Sequence, residues 1–161
     1  MPLKQPLLIL VLAWLLMPLV DSLGYAERVT KVTPDGILEM DTGKKVVLAG
    51  LKISPEGLRL LQVLTRGRDV EIDYDPKRPT SSVPAPVYLS IRSHEMKFSR
   101  LRQIEHHKVI LNEFLLQTGA AAVKTDASFK RKEKFLQIEA RARERGEGIW
   151  SYEPLMRKSA S

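Results

Sequence analysis

The chain contains no cysteine. That excludes disulfide scaffolds, thiolate zinc sites, iron–sulfur clusters, cysteine nucleophiles and lipid attachment through an N-terminal cysteine. Chemistry must therefore use oxygen, imidazole or amine. No internal repeat is present, and there is no glycine-rich phosphate loop, no Gly-x-Ser-x-Gly elbow and no His-Glu-x-x-His pair. Aromatic residues are scarce, at 6% of 161 residues. Only Tyr88 and Phe98 fall between positions 87 and 108, so base stacking has few candidates there. Acidic residues are outnumbered, with 26 Lys and Arg against 19 Asp and Glu and a formal net charge of +7. Such an excess favours polyanions, either nucleic acid or an anionic membrane surface.

A hydrophobic content of 43% with 28% charged residues is ordinary for a chain that buries a core. The apolar residues are concentrated at the start, where Leu7 to Val20 reads LLILVLAWLLMPLV behind Lys4. This run of about 14 residues is short of the roughly 20 needed to span a bilayer. Gly24 and Ala26 are the small residues a signal peptidase would read if it cut before Glu27. Residues 1–26 are therefore expected to be a signal peptide, or else an uncleaved hydrophobic segment holding the domain at a membrane through residues 7–20. Either way the domain is expected to be exported, periplasmic or secreted. The expected organisation is a domain over 27–155 and a flexible tail over 156–161.

From Glu27 the pattern runs strands first, then helices, which predicts a small α+β domain. Arg28 to Thr33 alternates, Pro34-Asp35-Gly36 is a turn, Ile37 to Asp41 resumes a strand, and Lys45 to Leu51 supplies a third. Ser54, Pro55 and Glu56 start a helix, with Leu58, Leu61 and Leu64 on one face and Gly67 as its stop. Asp69 to Asp75 reads DVEIDYD, which predicts a strand with Asp69, Glu71, Asp73 and Asp75 on a solvated face. Pro76 to Pro86, with four prolines, reads as a loop unable to form a central strand, and Val87 to Ile91 as a strand. Ile110 to Gln117 reads as a second helix ended by Gly119, followed by a short buried crossing at Ala120 to Val123. A closing helix is expected from an Asp126 cap to Gly146, cationic on its outer side, with Trp150 packing back on the body. His94, His106 and His107 are expected to be loop histidines rather than a metal trio.

In order and spacing, five segments resemble a staphylococcal-nuclease (thermonuclease) domain across roughly Val29 to Ser151. They are RVTKVTPDGILEM, VVLAGLKISPEG, DVEIDYD, ILNEFLLQTGAAAV and KRKEKFLQIEARARERGEGIWS. The resemblance implies a five-stranded oligonucleotide-binding (OB-fold) β-barrel with three helices, an α+β fold. It also implies a site in which two aspartates hold Ca²⁺, a glutamate is general base and two arginines grip the phosphate. Matched position by position, this chain departs from that set. Asp35-Gly36 is followed by Ile37, where a metal-binding aspartate is expected, and Val47 stands where the first arginine would be. The second aspartate falls on Lys52 or Ile53, and the second arginine falls on Ala85. A lysine at a cation site would cost about 4 kcal/mol per unit of cation charge at about 4 Å and an effective dielectric of about 20. Glu56 alone matches, as the general base, and its position is equally explained by a helix start.

Three functions fit this reading. The first is a basic binding module for single-stranded nucleic acid or another polyanion, through Arg92, Lys97, Arg100, Arg102, Lys108 and the closing helix. The second is a scaffold whose apolar cleft, made by Ile37, Val47 and Ile53, meets a protein of the cell envelope. The third is a residual Ca²⁺-dependent nuclease; otherwise no cofactor and no metal site is expected.

Overall fold

The computed structural model describes residues 26–77, 83–92 and 108–151. Among the described residues, eight short strands and three helices follow the expected order. β1 (Ala26–Val32), β2 (Ile37–Met40) and β3 (Lys45–Leu48) form an antiparallel meander. β4 (Leu51–Ile53) then leads through Ser54 into α1 (Pro55–Thr65). β5 (Asp69–Tyr74), β6 (Ala85–Arg92) and β7 (Lys108–Ile110) complete the large sheet. α2 (Leu111–Gln117), β8 (Ala121–Val123), α3 (Lys132–Glu144) and a 3-10 turn (Gly148–Trp150) follow.

The large sheet runs β3-β2-β1-β5-β6-β7, and a further parallel pairing of β3 with β6 joins its two arms. Five strands thus close on themselves as a mixed barrel, with β7 continuing outside it. Closure removes the exposed edges that an open five-stranded sheet would carry. The barrel interior is filled by Val29, Leu38, Val46, Leu48, Val70, Val87 and Leu89, each 2% exposed or less. Leu61, Leu64, Leu111, Leu115, Leu116 and Phe135 bring the three helices onto the same core.

The start of α1 behaves as its residues predict. Ser54 is extended, its Oγ accepts from Gly57 N at 3.0 Å and donates to Ala120 O at 3.0 Å, and Pro55 takes the first helical position. Gly57 is required here by a close approach: a Cβ would lie 2.1 Å from Ala120 O.

Four expectations are corrected. The single third strand is two, β3 and β4, broken at Gly50, whose φ is +72° and whose Cβ position is filled by the Phe129 ring. Asp75 leaves the solvated row and is buried at 1% exposure, because Lys77 N and Lys130 N both donate to its Oδ1, at 3.1 and 3.2 Å. Pro86 lies within β6 rather than in a loop; its carbonyl accepts from Asp75 N at 3.1 Å. The closing helix begins at Lys132, not at Asp126, since Phe129 drops into the core beside Phe135, with ring centroids 5.5 Å apart. Its end is as expected, with the Arg143 guanidinium 4.0 Å above the Trp150 ring.

No described helix is long and apolar enough to cross a membrane. The expected signal segment, apart from Ala26, and the tail at 156–161 lie outside the described residues.

Candidate functional site

The barrel seam decides which side chains share a surface. Ile37 pairs with Val47, and Val47 pairs in turn with Pro86 across the parallel β3–β6 junction. Their neighbours Leu38, Val46, Leu48 and Val87 are buried, so the alternation turns Ile37, Val47 and Pro86 outward together, each half-buried. Ala85 sits opposite Val46 and faces the core at 6% exposure. The outward row is therefore a hydrocarbon strip across three strands. It offers no oxygen to a cation and no guanidinium to a phosphate.

The remaining positions of interest lie on β4 and α1. Lys52 is exposed in β4 opposite Ala122, and Ile53 packs against the edge of the core. Glu56 is exposed in the first turn of α1 and lines a cleft of about 700 Å³ with Ser54, Leu60, Thr118, Ile149 and Ser151. None of Ile37, Val47 and Pro86 lines that cleft. Val47 and Pro86 instead line a smaller pocket of about 150 Å³ with Asp75, Pro84, Lys124 and Phe129. The one glutamate that matches by sequence thus opens onto a different concavity from the row. Among the described residues no group of three or more His, Asp or Glu is gathered where it could hold a metal ion. The donor set at the row does not suit the calcium ion that the fold would imply, and no catalytic step follows from it.

Asp75, in the lining of the small pocket, sits beside polar groups that the sequence did not announce. Asp75 Oδ2 is buried without a hydrogen-bond partner among the described residues, while the Tyr88 hydroxyl beside it accepts from Arg131 N at 3.3 Å. Burial, and to a lesser degree the Asp75 charge, push the Tyr88 hydroxyl up to about 12. Tyr88 therefore stays protonated at physiological pH. The Arg131 guanidinium lies 4.7 Å over the Tyr88 ring. Asn112, wholly buried in α2, ties the seam from inside: Leu89 N donates to its Oδ1 at 3.0 Å, and its Nδ2 donates to Val87 O at 3.1 Å.

This seam, with its three helices and short β4–β8 ribbon, is the framework of one known nuclease fold. Residues 83–152 match the family model described as staphylococcal nuclease homologue. The fold and this match together are those of a staphylococcal-nuclease-like domain. The match covers β6 to the end of the 3-10 turn, and the strands before it complete the barrel that such a fold has. No curated protein matches the chain.

The basic residues of the nuclease-like domain are distributed unlike the sequence expectation. Arg92 and Lys108 are exposed and face each other across β6 and β7, but Lys108 Nζ is paired with Glu71 at 2.5 Å. Lys97, Arg100 and Arg102 lie outside the described residues, as do His94, His106 and His107. On and just before α3, Arg131 reaches Glu113 and Asp73 at 3.2 and 3.6 Å, Lys134 reaches Glu113 at 2.8 Å, and Arg143 reaches Glu139 at 2.8 Å. The expected cationic side of the closing helix is to that extent neutralised. Lys77, Lys124 and Lys130 are exposed and form no ion pair with a described residue. Lys124 lines the pocket at the seam, and the backbone N–H groups of Lys77 and Lys130 meet on Asp75 Oδ1; Lys130 belongs to the basic side expected of the closing helix, while Lys77 and Lys124 carried no signal in the sequence.

Proposed function

We propose that this is an exported nuclease-fold protein whose catalytic site has degenerated and which binds nucleic acid or a related polyanion. The observation that carries the reading is the row of Ile37, Val47 and Pro86, three uncharged side chains at the barrel seam, where phosphodiester chemistry needs metal ligands and a phosphate clamp. Removing a single charge-stabilising donor from such a site typically costs about 10²- to 10³-fold in rate. Removing the metal ligands as well takes away the activated water. What remains is a barrel in a chain with a net charge of +7, suited to electrostatic binding with little sequence preference.

The test is digestion of plasmid and single-stranded DNA with Ca²⁺ or Mn²⁺, run beside a binding titration at several salt concentrations. The expected result is no cleavage, with binding to single-stranded DNA that weakens steeply as salt rises. Cleavage that disappears in Glu56→Gln would overturn the degenerate-site reading. Salt-insensitive binding, or none at low salt, would overturn the polyanion reading. A partner from an envelope extract that survives nuclease treatment and high salt would support the protein-scaffold reading instead, which the exposed Val83 beside Pro84 favours, at 79% exposure. Export is tested by N-terminal sequencing of the protein recovered from the cell envelope or medium, where cleavage predicts a chain beginning at Glu27.

A further inference from the structure

We propose that residues 152–161 fold back over the cleft of about 700 Å³ beside α1, laying Tyr152, Leu155 and Met156 on its apolar wall and bringing Arg157 and Lys158 to Glu56. The polyanion reading makes no use of this cleft, so the two stand or fall separately. The walls are held by backbone. α1, the turn between α2 and β8, and the 3-10 turn meet so closely that a Cβ at Gly57 would lie 2.1 Å from Ala120 O, and one at Gly148 would lie 2.3 Å from Gly119 O. Ile149 N donates to Gly119 O at 2.9 Å, which fixes the wall that carries Ile149 and Ser151. Such a volume falls within the roughly 300–1,000 Å³ of clefts that bury a ligand.

Reach, apolar surface and charge all name the same occupant. Ser151, the last described residue, lines the cleft itself, so the chain that follows starts at the rim. Pro154 disfavours a helical Glu153, and an extended segment gains about 3.3 Å per residue, so five residues reach about 17 Å. Across the cleft, Glu56, Leu60 and Val63 share one stripe of α1 that is about 10 Å long. That stripe is not the core face. Leu61 and Leu64 are buried, while Val63 is 65% exposed and Ile149 on the opposite wall is 37% exposed. Exposed apolar surface with a polar rim marks a contact. Glu56 is exposed, is the only carboxylate among the described lining residues, and forms no ion pair with a described residue. Residues 152–161 read YEPLMRKSAS, apolar side chains ahead of two cations. As a separate peptide this sequence would bind weakly, but a short tether holds it at an effective concentration of about millimolar, ahead of an unattached partner.

Because the chain has no cysteine, an introduced pair is its only pair of thiols. The full chain carrying Leu60→Cys and Met156→Cys is compared with one carrying Val83→Cys and Met156→Cys under mild oxidation, and disulfide formation is read by mass. Val83 does not line the cleft. Docking predicts that the Leu60 pair closes roughly tenfold faster than the Val83 pair, since a disulfide needs Cα atoms within about 7 Å. Equal rates would overturn the proposal. A disulfide joining two chains would assign the cleft to a second copy, and no disulfide in either variant would leave it to a separate partner; both outcomes overturn it as well. A second measurement adds no thiols. Trypsin cutting after Arg157 and Lys158 should be roughly fivefold faster in Ile149→Gln, which removes apolar contact from the wall, and unchanged in Leu136→Gln, an exposed leucine of α3 off the cleft. Unchanged cutting in Ile149→Gln, or equal acceleration in both, would overturn docking. Glu56→Gln should speed cutting at about 50 mM salt but not at about 1 M, where the Debye length is about 3 Å. An effect equal at both salts would overturn the pairing with Glu56. Matching urea midpoints show that the variants are folded.

Discussion

Asn112 offers the sharpest test of how the seam is held. Its side chain is wholly buried, and it is the acceptor for Leu89 N at 3.0 Å while donating to Val87 O at 3.1 Å and to Ala49 O at 3.4 Å. Val87 O also accepts from Ala49 N at 2.9 Å, so it keeps a partner without Asn112. In Asn112→Ala, Leu89 N is left as a buried donor with no acceptor, at about 1–3 kcal/mol, and Ala49 O loses a weaker bond worth about 1 kcal/mol. The expected destabilisation is about 2–4 kcal/mol, a large share of the roughly 5–15 kcal/mol typical of a domain. With a urea slope of about 2 kcal/mol per molar, the unfolding midpoint should fall by about 1–2 M. Asn112→Asp adds a pH signature. An ionised carboxylate would face two carbonyl oxygens, so its folded pKa is expected above the unfolded value of about 3.9. A raised folded pKa means stability that is present at low pH and lost as pH rises through the folded value. The aspartate variant should therefore be closest to the unmodified chain near about pH 4 and fall further behind toward about pH 7. Urea unfolding at both pH values decides it. An alanine cost below about 1 kcal/mol, or an aspartate deficit equal at both pH values, would refute the role assigned to Asn112.

Gly50→Ala should cost about 2–5 kcal/mol, from a left-handed backbone at about 1–2 and from overpacking at about 1–3. Its Cβ would lie 2.4 Å from Phe129 Cζ, whereas Gly43→Ala, with nothing within 4 Å, should show the backbone part alone. Comparing the urea midpoints of the two variants measures the difference, and equal costs would contradict the Phe129 plug. Tyr88 holds its proton more tightly when folded, at about 12 against 10.0 unfolded. The folded state then binds more protons between those values, so stability falls as pH rises through this window, by about 2–3 kcal/mol in all. Thermal melts of Tyr88→Phe should show a flatter decline there; an unchanged slope would show that Tyr88 is not its source.

Much of the fold was legible because its signals are local. Ser54-Pro55-Glu56 and the leucine spacing define the first helix within a dozen residues, and the alternation in DVEIDYD defines β5. The signals failed where the deciding partner is remote. Asp75 looks like one more acidic residue on an open face, until Lys130 N from the approach to α3 claims it. The approach itself is not helical, because Phe129 leaves the helix pattern to fill the space above Gly50. Pro86 reads as a strand breaker, yet it keeps its place in β6 through its carbonyl alone. At the candidate site, counting residues singled out Ile37 and Val47. It took the β3–β6 register to turn Ala85 inward and set Pro86 in the row.

Residue chemistry along the chain determined what the seam row itself can offer: with isoleucine and valine at the positions just named, those side chains present hydrocarbon and neither an oxygen nor a guanidinium group. The tertiary structure decided which charges are free. A lysine is positive wherever it stands in a sequence, but whether it is offered to a ligand or spent on a neighbouring carboxylate depends on distances of a few ångströms. Barrel closure and the buried Asp75 hydrogen bonds set those distances.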